Sequence, residues 1–300
     1  MIDFKIIELS DKKEIDLFLN VSGFKGCDFC FVNLFAWQAK FKYSYAVIRQ
    51  TLFIRYFDDI ENEFCYLMPI GKMNLKSSLS MLFDDAKERN IELIMKQISN
   101  EMWDNINVAM PNIFQYKFDR DNDEYIYLSE RLTNLHGQKL QSKRNHINRF
   151  KQDNPHWEYF SLTSKEDLDE CSEMLDIWDD LNIEKARQSL RYDYIATKLM
   201  LENFHYLQLR GGAVRVNGKI VAFTIGEQLT DDTFVIHVEK AYSGMNGAYT
   251  IINQQFAEHE ASEFMYINRE EDMGLEYLRK AKLSYHPDIL LQKRVLTLKK

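Results

Sequence analysis

A histidine and a glutamate close together in the second half of the sequence have side chains suited to proton transfer. His237 and Glu239 alternate along a run predicted to be a strand, so we expect both on one face of a sheet. An imidazole or a carboxylate at a strand end could serve as general base toward an attacking nucleophile. For each residue alone, a satisfied strand histidine or a surface carboxylate is the simpler interpretation. The His-x-Glu spacing also occurs in zinc deaminases, but no Pro-Cys-x-x-Cys follows, which excludes that chemistry.

The segment from Glu239 to Ala248 joins this predicted strand to a helix through a glycine-containing loop. Glycine lets a backbone approach a ligand closely, and the first turn of a helix offers unpaired N–H groups and a positive dipole. The combination predicts an anion site, although a plain β-to-α turn would have a similar sequence. The candidate binding residues of the loop are Ser243, Gly244, Asn246, Gly247 and Ala248.

A second strand end with functional side chains lies between Asn268 and Leu275. It brings an amide, a guanidinium and carboxylates to the place where ligand clefts open in α/β sheets. A capped, solvated loop is the alternative interpretation. The candidates here are Asn268, Arg269 and Asp272 for binding, with Glu270 as a second candidate for the general base.

The segment from Lys139 to Phe150 is basic in a chain that is otherwise acidic, and it contains no Asp or Glu. At about 100° per residue, Leu140, Ile147 and Phe150 fall within one arc, and Lys143 falls inside that arc. A lysine on a packed face must reach solvent, pair with a carboxylate or line a polar site. A linker helix whose charges meet the acidic body is the alternative. The ligand-facing interpretation selects Lys139, Lys143, Arg144, Asn145, His146 and Asn148.

Composition and charge limit the classes of function. The chain has 300 residues, 45% of them hydrophobic and 28% charged, which suffices for two domains or one large α/β domain. Its formal net charge of −8 argues against broad nonspecific binding to nucleic acid or anionic membranes, but not against a local basic site. No apolar run reaches the ~18 residues of a membrane helix, and the N-terminus does not resemble a secretory signal. We therefore expect a cytoplasmic protein that does not insert into membranes.

No metal site is predicted. Cys27 and Cys30 have C-x-x-C spacing, but they lead into a strongly apolar segment and no second pair exists, so we expect buried core thiols. The residues from Asp119 to Glu130 match an EF-hand loop at several positions, but Glu124 stands where the sharp turn requires glycine. The Tyr-Ile-Tyr-Leu run inside this stretch is typical of a strand.

The two halves of the chain repeat one order of elements. Each half is predicted as a strand, two helices, three antiparallel strands, a helix, a strand and a helix, with Asn217 and Gly218 as the turn of one hairpin. The second half includes a helix over residues 185–204 and ends in a single strand, 289–298. This order matches the GNAT acyltransferase fold. We therefore predict an α+β protein of two tandem GNAT-like domains, with mixed, mostly antiparallel sheets flanked by helices.

A basic helix is predicted to connect the two domains and to present Lys139, Lys143 and His146 to a ligand cleft. In a GNAT fold, Tyr285, which follows the last helix, would be positioned to protonate a departing group. The predicted boundaries are residues 1–130 for the first domain, 131–155 for the connecting helix and 156–300 for the second domain.

Three stretches of the sequence resemble a known family. "GQKLQSKRNHINRFKQ", "NREEDMGLEYLRKAKLSYHP" and "LMPIG" are similar to a bacterial family grouped with the C-terminal domain of phosphatidylglycerol lysyltransferases, over nearly the whole chain. The resemblance implies two GNAT-like domains, related in fold to the Fem-type peptidoglycan aminoacyltransferases, whose relatives move an aminoacyl group from aminoacyl-tRNA to a lipid or peptide. By motif it points to the residues selected on the basic helix and at the second strand end. This sequence contains none of the membrane helices of the lipid-modifying enzymes, which argues against a phospholipid acceptor.

Together these features predict an acyl or aminoacyl transferase acting on an amine or hydroxyl of a small molecule or peptide. Acyl transfer needs an activated carbonyl, a stabilised oxyanion and a deprotonated nucleophile. We expect Lys143, with Asn145 or His146, to contact the donor's phosphates or 3′ end, and the glycine loop to bind a phosphate or the acceptor. Glu239 or Glu270 would serve as base.

Two questions stay open on the sequence alone. The donor is either aminoacyl-tRNA or an acyl-coenzyme A thioester, as in an acetyl-CoA-dependent N-acetyltransferase, and no tightly bound cofactor is expected. The other class of function is a non-catalytic pair of GNAT-like domains that binds RNA, a nucleotide or a peptide.

Overall fold

The computed structural model describes residues 1–59, 61–182 and 188–299. Up to the middle of the chain its elements are β1 (Lys5–Ile6), α1 (Lys12–Leu19), α2 (Phe31–Ala36), α3 (Gln38–Phe41), β2 (Ser44–Ile48), β3 (Thr51–Asp58), β4 (Glu63–Tyr66), β5 (Ile70–Gly71), α4 (Leu75–Glu88), β6 (Met95–Ile98), α5 (Asn100–Ala109) and β7 (Phe114–Phe118). They continue with β8 (Glu124–Leu128), α6 (Ser129–Asn134), α7 (Gln141–Asp153), β9 (Trp157–Ser161), α8 (Lys165–Asn182), α9 (Gln188–Glu202), β10 (Arg210–Val216), β11 (Lys219–Gln228), β12 (Thr233–Ala241), α10 (Ala248–Glu260), β13 (Tyr266–Glu271), α11 (Glu276–Leu283), β14 (Ile289–Leu291) and β15 (Arg294–Leu298).

The chain forms two compact units that are not contiguous in sequence. The first unit comprises Met1–Glu124, Glu271–Leu275 and Leu291–Lys300, and the second comprises Tyr125–Glu270 and Glu276–Leu290. The basic helix α7, predicted to connect two domains, therefore lies inside the second unit. The last strand, β15, belongs to the first unit instead of the second.

The first unit is built on an 8-stranded mixed sheet with strand order β1-β2-β3-β4-β6-β15-β7 and β5 paired to β3. Its pairs β1–β2, β2–β3, β3–β4, β15–β6 and β15–β7 are antiparallel. The pair β4–β6 is parallel and joins Tyr66 to Met95. A mixed, mostly antiparallel sheet is the arrangement predicted from the order of elements.

The second unit repeats that arrangement in a 7-stranded sheet with order β14-β8-β13-β12-β11-β10-β9. Strands β9 to β12 pair antiparallel, whereas β12 and β13 run parallel. The β10–β11 hairpin turns at Asn217 and Gly218, both with positive φ (49° and 79°), which confirms the predicted turn.

Helices α7 and α10 pack together on the core of the second unit. The predicted apolar stripe of α7 is confirmed, because Leu140, Ile147 and Phe150 are at most 5% exposed and belong to one hydrophobic cluster. Phe256 of α10 and Phe234 of β12 complete the same cluster. Burying each such side chain contributes about 1.5–3 kcal/mol, so this stripe fixes which face of α7 turns inward.

Several predicted elements have different bounds in the structure. The single strand expected over 289–298 is two strands, β14 in the second unit's sheet and β15 in the first unit's sheet, separated by Gln292 and Lys293. The helix predicted over 185–204 is described from Gln188 to Glu202, and the beginning of that range lies outside the described residues. No helix in the described part of the chain combines the length and apolar composition needed to cross a membrane.

The cysteine and calcium motifs have structural roles. Cys27 and Cys30 are 3% and 6% exposed, which confirms the prediction of core thiols. In the EF-hand-like stretch, Glu124 begins strand β8 and is fully buried. Its carboxylate accepts the backbone N–H of Cys27 and pairs with Lys293, so it does not face a calcium loop.

Lys293 sits in the break between the last two strands and is 2% exposed. Its ammonium pairs with Asp28 and Glu124 and lies 3.4 Å from Oε1 of Gln97. Burial alone would lower the pKa of Lys293, but the two carboxylates reverse this and hold it well above the usual value. The carboxylates of Asp28 and Glu124 with the Cys27 thiol come close enough for a metal, yet the ammonium already neutralises them, so this donor set does not suit a cation.

Replacing Lys293 by Met should destabilise the protein strongly, because Asp28 and Glu124 would stay buried without a counterion. The expected loss is about 3–5 kcal/mol of unfolding free energy, measured by urea denaturation at pH 7. Lys299→Met removes an exposed lysine from the same end of the chain and should change stability by less than about 0.5 kcal/mol. Equal urea midpoints for the two variants would contradict the assigned role of Lys293.

Gly247, at the start of α10, lies against the backbone of α7. Its φ is +83°, and an added Cβ would lie 2.4 Å from the carbonyl oxygen of His146. Gly247→Ala should therefore lose about 2–4 kcal/mol of unfolding free energy through backbone strain and overpacking. Gly244→Ala is the matched control, since its Cβ would meet nothing within 4 Å, and it should stay within about 0.5 kcal/mol of the parent. Similar losses in both variants would show that α7 does not press on this loop.

Candidate active site

Strands β12 and β13 are hydrogen-bonded over only part of their length. Their parallel register joins Thr233–Val235 to Tyr266–Asn268, and both strands then continue, β12 to Ala241 and β13 to Glu271. The carboxyl ends of such strands are where ligand clefts open in sheets of this kind. In the second unit, charged side chains from both strands occupy this region.

A β-bulge determines which side chains of β12 face the site. The register with β11 shifts so that Ile225 lies opposite Val238 and Gly226 opposite Ile236, leaving His237 as the extra residue. A bulge changes the direction of the side chains that follow it. His237 and Glu239, expected to act from one face, therefore have different partners in the structure.

The imidazole of His237 is enclosed between two carboxylates. Its Nδ1 lies 2.8 Å from Oε1 of Glu270 and its Nε2 lies 3.1 Å from Oε1 of Glu227. The His237 side chain is 0% exposed, and the two glutamates are 13–15% exposed. Both ring nitrogens are thus engaged, and Glu270, a candidate base, is held against the ring.

Glu239 neutralises the guanidinium of Arg269, whose side chain is 9% exposed. Nη2 of Arg269 donates to Oε1 of Glu239 at 2.9 Å, and Nδ2 of Asn253 on α10 donates to Oε2 at 2.9 Å. Nη1 of Arg269 and Oδ1 of Asn253 are buried without a hydrogen-bond partner among the residues that the structure describes. The guanidinium carbon lies 4.8 Å from the ring centroid of Tyr285 and 5.8 Å from that of Tyr127, so ring faces take the place of oxygen partners.

Lys143 of α7 also lies over the ring of Tyr285. Its Nζ lies 4.0 Å from the ring centroid. Burial, with a further contribution from Arg269, lowers the pKa of Lys143 to about 8, while Glu239 opposes the shift. Burial also raises the pKa of Tyr285 to about 12. At neutral pH the phenol therefore keeps its proton, and part of the Lys143 population is the free amine.

The glycine loop lies against the same helix. Nδ1 of His146 is 3.2 Å from Oδ1 of Asn246, and the backbone of His146 packs on Gly247. Ser243, Gly244 and Asn246 are exposed, and α10 begins at Ala248 without a side-chain cap. Predicted residues from the loop, the basic helix and both strand ends are thus brought together in the second unit.

The side chains of Lys143, Arg269, Glu239 and Tyr285 form a polar cluster. The remaining predicted residues of the basic helix lie outside it. Arg144 donates to the backbone carbonyls of Leu135 and Gly137, so it fixes the turn before α7. Lys139, Asn145 and Asn148 are exposed. They form a polar outer surface and do not line the cluster around Tyr285.

At the end of β13 two predicted residues shape the backbone. Asn268 is fully buried and its Oδ1 accepts the N–H of Glu270, which adopts a positive φ of 57°. Asp272 belongs to the first unit, where it accepts the N–H of Gly274 and lies 3.4 Å from Arg120. The amide of Asn268 and the carboxylate of Asp272 each hold a backbone N–H, one within β13 and one just after it.

Some members of the cluster were not selected from the sequence. Asn253 lies on the apolar face of α10 and is 0% exposed. An amide among Ile251, Ile252 and Phe256 is the sequence feature that would have identified it. Lys282 is also buried, and its Nζ donates to the carbonyl oxygen of Arg269. Nothing in its sequence context distinguishes it from the other lysines of α11.

Comparison with known proteins agrees with this architecture. A protein of unknown function from Bacteroides thetaiotaomicron is 38% identical, covers 100% of both chains and superposes with a TM-score of 0.93. The C-terminal domain of a putative lysylphosphatidylglycerol synthetase from Agrobacterium fabrum is 13% identical, covers 96% of this chain and 90% of its own, and gives a TM-score of 0.66, a likeness of fold. A protein from Mycoplasmoides gallisepticum is 24% identical over 172 residues, so the chain spans about half the length (54%) of this curated relative.

A model of one protein family matches nearly the whole chain. The family is described as "Phosphatidylglycerol lysyltransferase, C-terminal", and the match runs over residues 20–296. The two mixed sheets flanked by helices are those of tandem GNAT-like domains. The protein therefore belongs to the family of phosphatidylglycerol lysyltransferase C-terminal domains.

Proposed function

We propose that the second unit transfers an aminoacyl group from aminoacyl-tRNA to an amine or hydroxyl acceptor. The observation that carries this proposal is the cluster of Lys143, Arg269, Glu239 and Tyr285 where β12 and β13 stop pairing. It combines a fixed cation, a protonated phenol and a lysine with a lowered pKa in one half-buried place. These are the kinds of group that acyl transfer requires.

Arg269 and Tyr285 have complementary parts in the proposed reaction. A guanidinium held by Glu239 and Asn253 is preorganised positive charge, which stabilises the oxygen of an ester carbonyl as it becomes an oxyanion. Tyr285 keeps its proton at neutral pH, so it is available to donate a hydrogen bond to the departing oxygen. The same cluster would thus stabilise the oxyanion and assist the departure of the leaving oxygen.

The surroundings of the glycine loop favour an RNA donor over coenzyme A. A pyrophosphate binds a glycine loop through its backbone N–H groups. Here the carbonyl oxygen of His146 would lie 2.4 Å from a Cβ on Gly247, so a partial negative charge already occupies one side of the loop. Lys139 in the turn before α7 and Lys151 in the last turn of the helix are exposed and offer a local cationic surface for a phosphate backbone, and His146 is exposed on the same helix.

An activity assay with competing donors tests the proposal. The full chain is mixed with tRNAs charged with radiolabelled amino acids or with labelled acetyl-coenzyme A, together with a panel of amine and hydroxyl acceptors. We expect transfer from the aminoacyl ester and a higher melting temperature with charged tRNA, because donor binding stabilises the folded state. Transfer from acetyl-coenzyme A alone would favour the N-acetyltransferase alternative, and binding of RNA without turnover would favour the non-catalytic one.

Lys139→Ala combined with His146→Ala should weaken tRNA binding without changing the fold, because both side chains are exposed, Lys139 in the turn before α7 and His146 on the helix. The expected loss is about tenfold in affinity at low salt, and the slope of log K against log salt should fall by about one for each phosphate that the variant no longer neutralises. Filter binding between 50 and 200 mM salt is a suitable range for this measurement. Lys165→Ala, an exposed lysine on α8, is the matched control and should bind as the parent does. Unchanged binding by the double variant would place the RNA elsewhere.

A further inference from the structure

The proposed reaction needs a group that takes the proton of the attacking nucleophile, and the nearby carboxylates are already engaged. Oε1 of Glu239 accepts from Arg269, and Oε2 accepts from Asn253. Glu270 lies against the ring of His237 at 2.8 Å. A carboxylate that already pairs with a guanidinium or an imidazole loses part of that interaction when it takes a proton.

Lys143 is placed differently from these groups. It lies on the inward stripe of α7 with Leu140 and Ile147, so its stem is packed, and its Nζ lies over the ring of Tyr285 at 4.0 Å. Over residues 1–59, 61–182 and 188–299, the structure records no carboxylate within ion-pair distance of this ammonium. The cation–π contact holds the ammonium over the ring, and loss of its proton leaves a lone pair on the nitrogen.

The groups around Lys143 favour its neutral form. Arg269 on β13 is the nearest cation that acts on it, and Glu239 on β12, which opposes the effect, is bound to that same guanidinium. Tyr285 is protonated, and α10 contributes the uncharged Asn253. On α7 itself, the next turn brings His146, which contacts Asn246 of the loop.

We propose that Lys143, as the free amine, is the proton acceptor of the transfer reaction in the second unit. This inference rests on the proposed function. The acceptor's nitrogen or oxygen attacks the ester carbonyl and forms a new bond to carbon, and its proton moves to Nζ of Lys143. The bond between that carbon and the 3′ ribose oxygen then breaks, and the lysine, now an ammonium, returns the proton to the departing oxygen. The lysine is regenerated, so no further reactant is needed.

The pKa of Lys143 agrees with this role. A value of about 8, lowered by burial and by Arg269, leaves roughly a quarter of the side chains as free amine at pH 7.5. A lysine at its usual value of 10.5 would be neutral in about one molecule in a thousand at that pH. The gain in available base is therefore about two hundredfold or more.

Competitive acetylation measures the free amine directly, without a substrate. The full chain receives a trace of acetic anhydride between pH 6 and 11, with phenylalanine as internal standard, and mass spectrometry of the digest gives the labelling of Lys143 and Lys139. We expect half-maximal labelling of Lys143 near pH 8. A midpoint close to about 10.4, the value of a free lysine side chain, would overturn the proposal, whatever the activity of the protein.

Substitution of the neighbouring charges tests the cause of this behaviour. In Arg269→Gln the midpoint of Lys143 should rise, because the cation that lowers its pKa is gone; in Glu239→Gln it should fall. Lys139, exposed and outside the cluster, should label identically in all three proteins. If either variant fails to fold, the other variant and the parent still decide the matter. If neither substitution changes the pH of half-maximal labelling of Lys143, the assigned surroundings of Lys143 are contradicted.

Lys143→Arg separates proton transfer from binding, because arginine keeps the positive charge and cannot act as a base at these pH values. We expect kcat for aminoacyl transfer to fall about 10²–10⁴-fold while the Kd for charged tRNA stays unchanged. In Lys143→Ala, added methylamine should restore part of the rate, which a purely structural role would not allow. Transfer by Lys143→Arg at the parent's rate would overturn the base role and leave the proposed function intact. If the parent itself transfers nothing, the proposed function fails, and the base role with it.

Discussion

A buried guanidinium has to be neutralised, and much of the second unit is arranged so that Glu239 neutralises Arg269. An uncompensated charge in this place would cost several kcal/mol, so the partners of the pair are fixed as firmly as the pair itself. Asn253 holds the second carboxylate oxygen, and the rings of Tyr285 and Tyr127 hold the guanidinium. Burial lowers the pKa of Lys143, the guanidinium lowers it further, and Glu239 opposes the shift. The ion pair thereby contributes to the chemistry of its neighbour.

Local patterns in the sequence predicted the inward position of Lys143 but not the partners of Glu239. The inward position of Lys143 follows from a 3.6-residue period, because Leu140, Ile147 and Phe150 define the buried arc of α7 without reference to the rest of the chain. The partners of Glu239 do not follow from such a pattern. The β-bulge that separates its surroundings from those of His237 depends on the register with β11, which a single strand sequence does not contain.

The prediction of the fold succeeded where contacts are local in sequence and failed where they join distant parts of the chain. Helices, hairpins and the turn at Asn217 were found because periodicity and turn residues act over a few positions. The division of the last predicted strand at Lys293 was missed, because its cause is a pair of carboxylates that come from far upstream, Asp28 and Glu124. Lys293 within a largely apolar run indicated an irregularity in the strand, but the sequence did not identify the carboxylates that pair with it.

The position of β15 has a consequence for how the protein folds during synthesis. This strand lies between β6 and β7 in the first unit's sheet, yet it follows the whole second unit in the chain. Until it emerges from the ribosome, β6 and β7 lack the strand that joins them, and each presents an open edge able to pair with other chains. Lys293 arrives with it, so Asp28 and Glu124 also wait for their counterion. During synthesis, the first unit therefore cannot complete its sheet until the end of the chain has been made. The second unit can complete its own sheet before then.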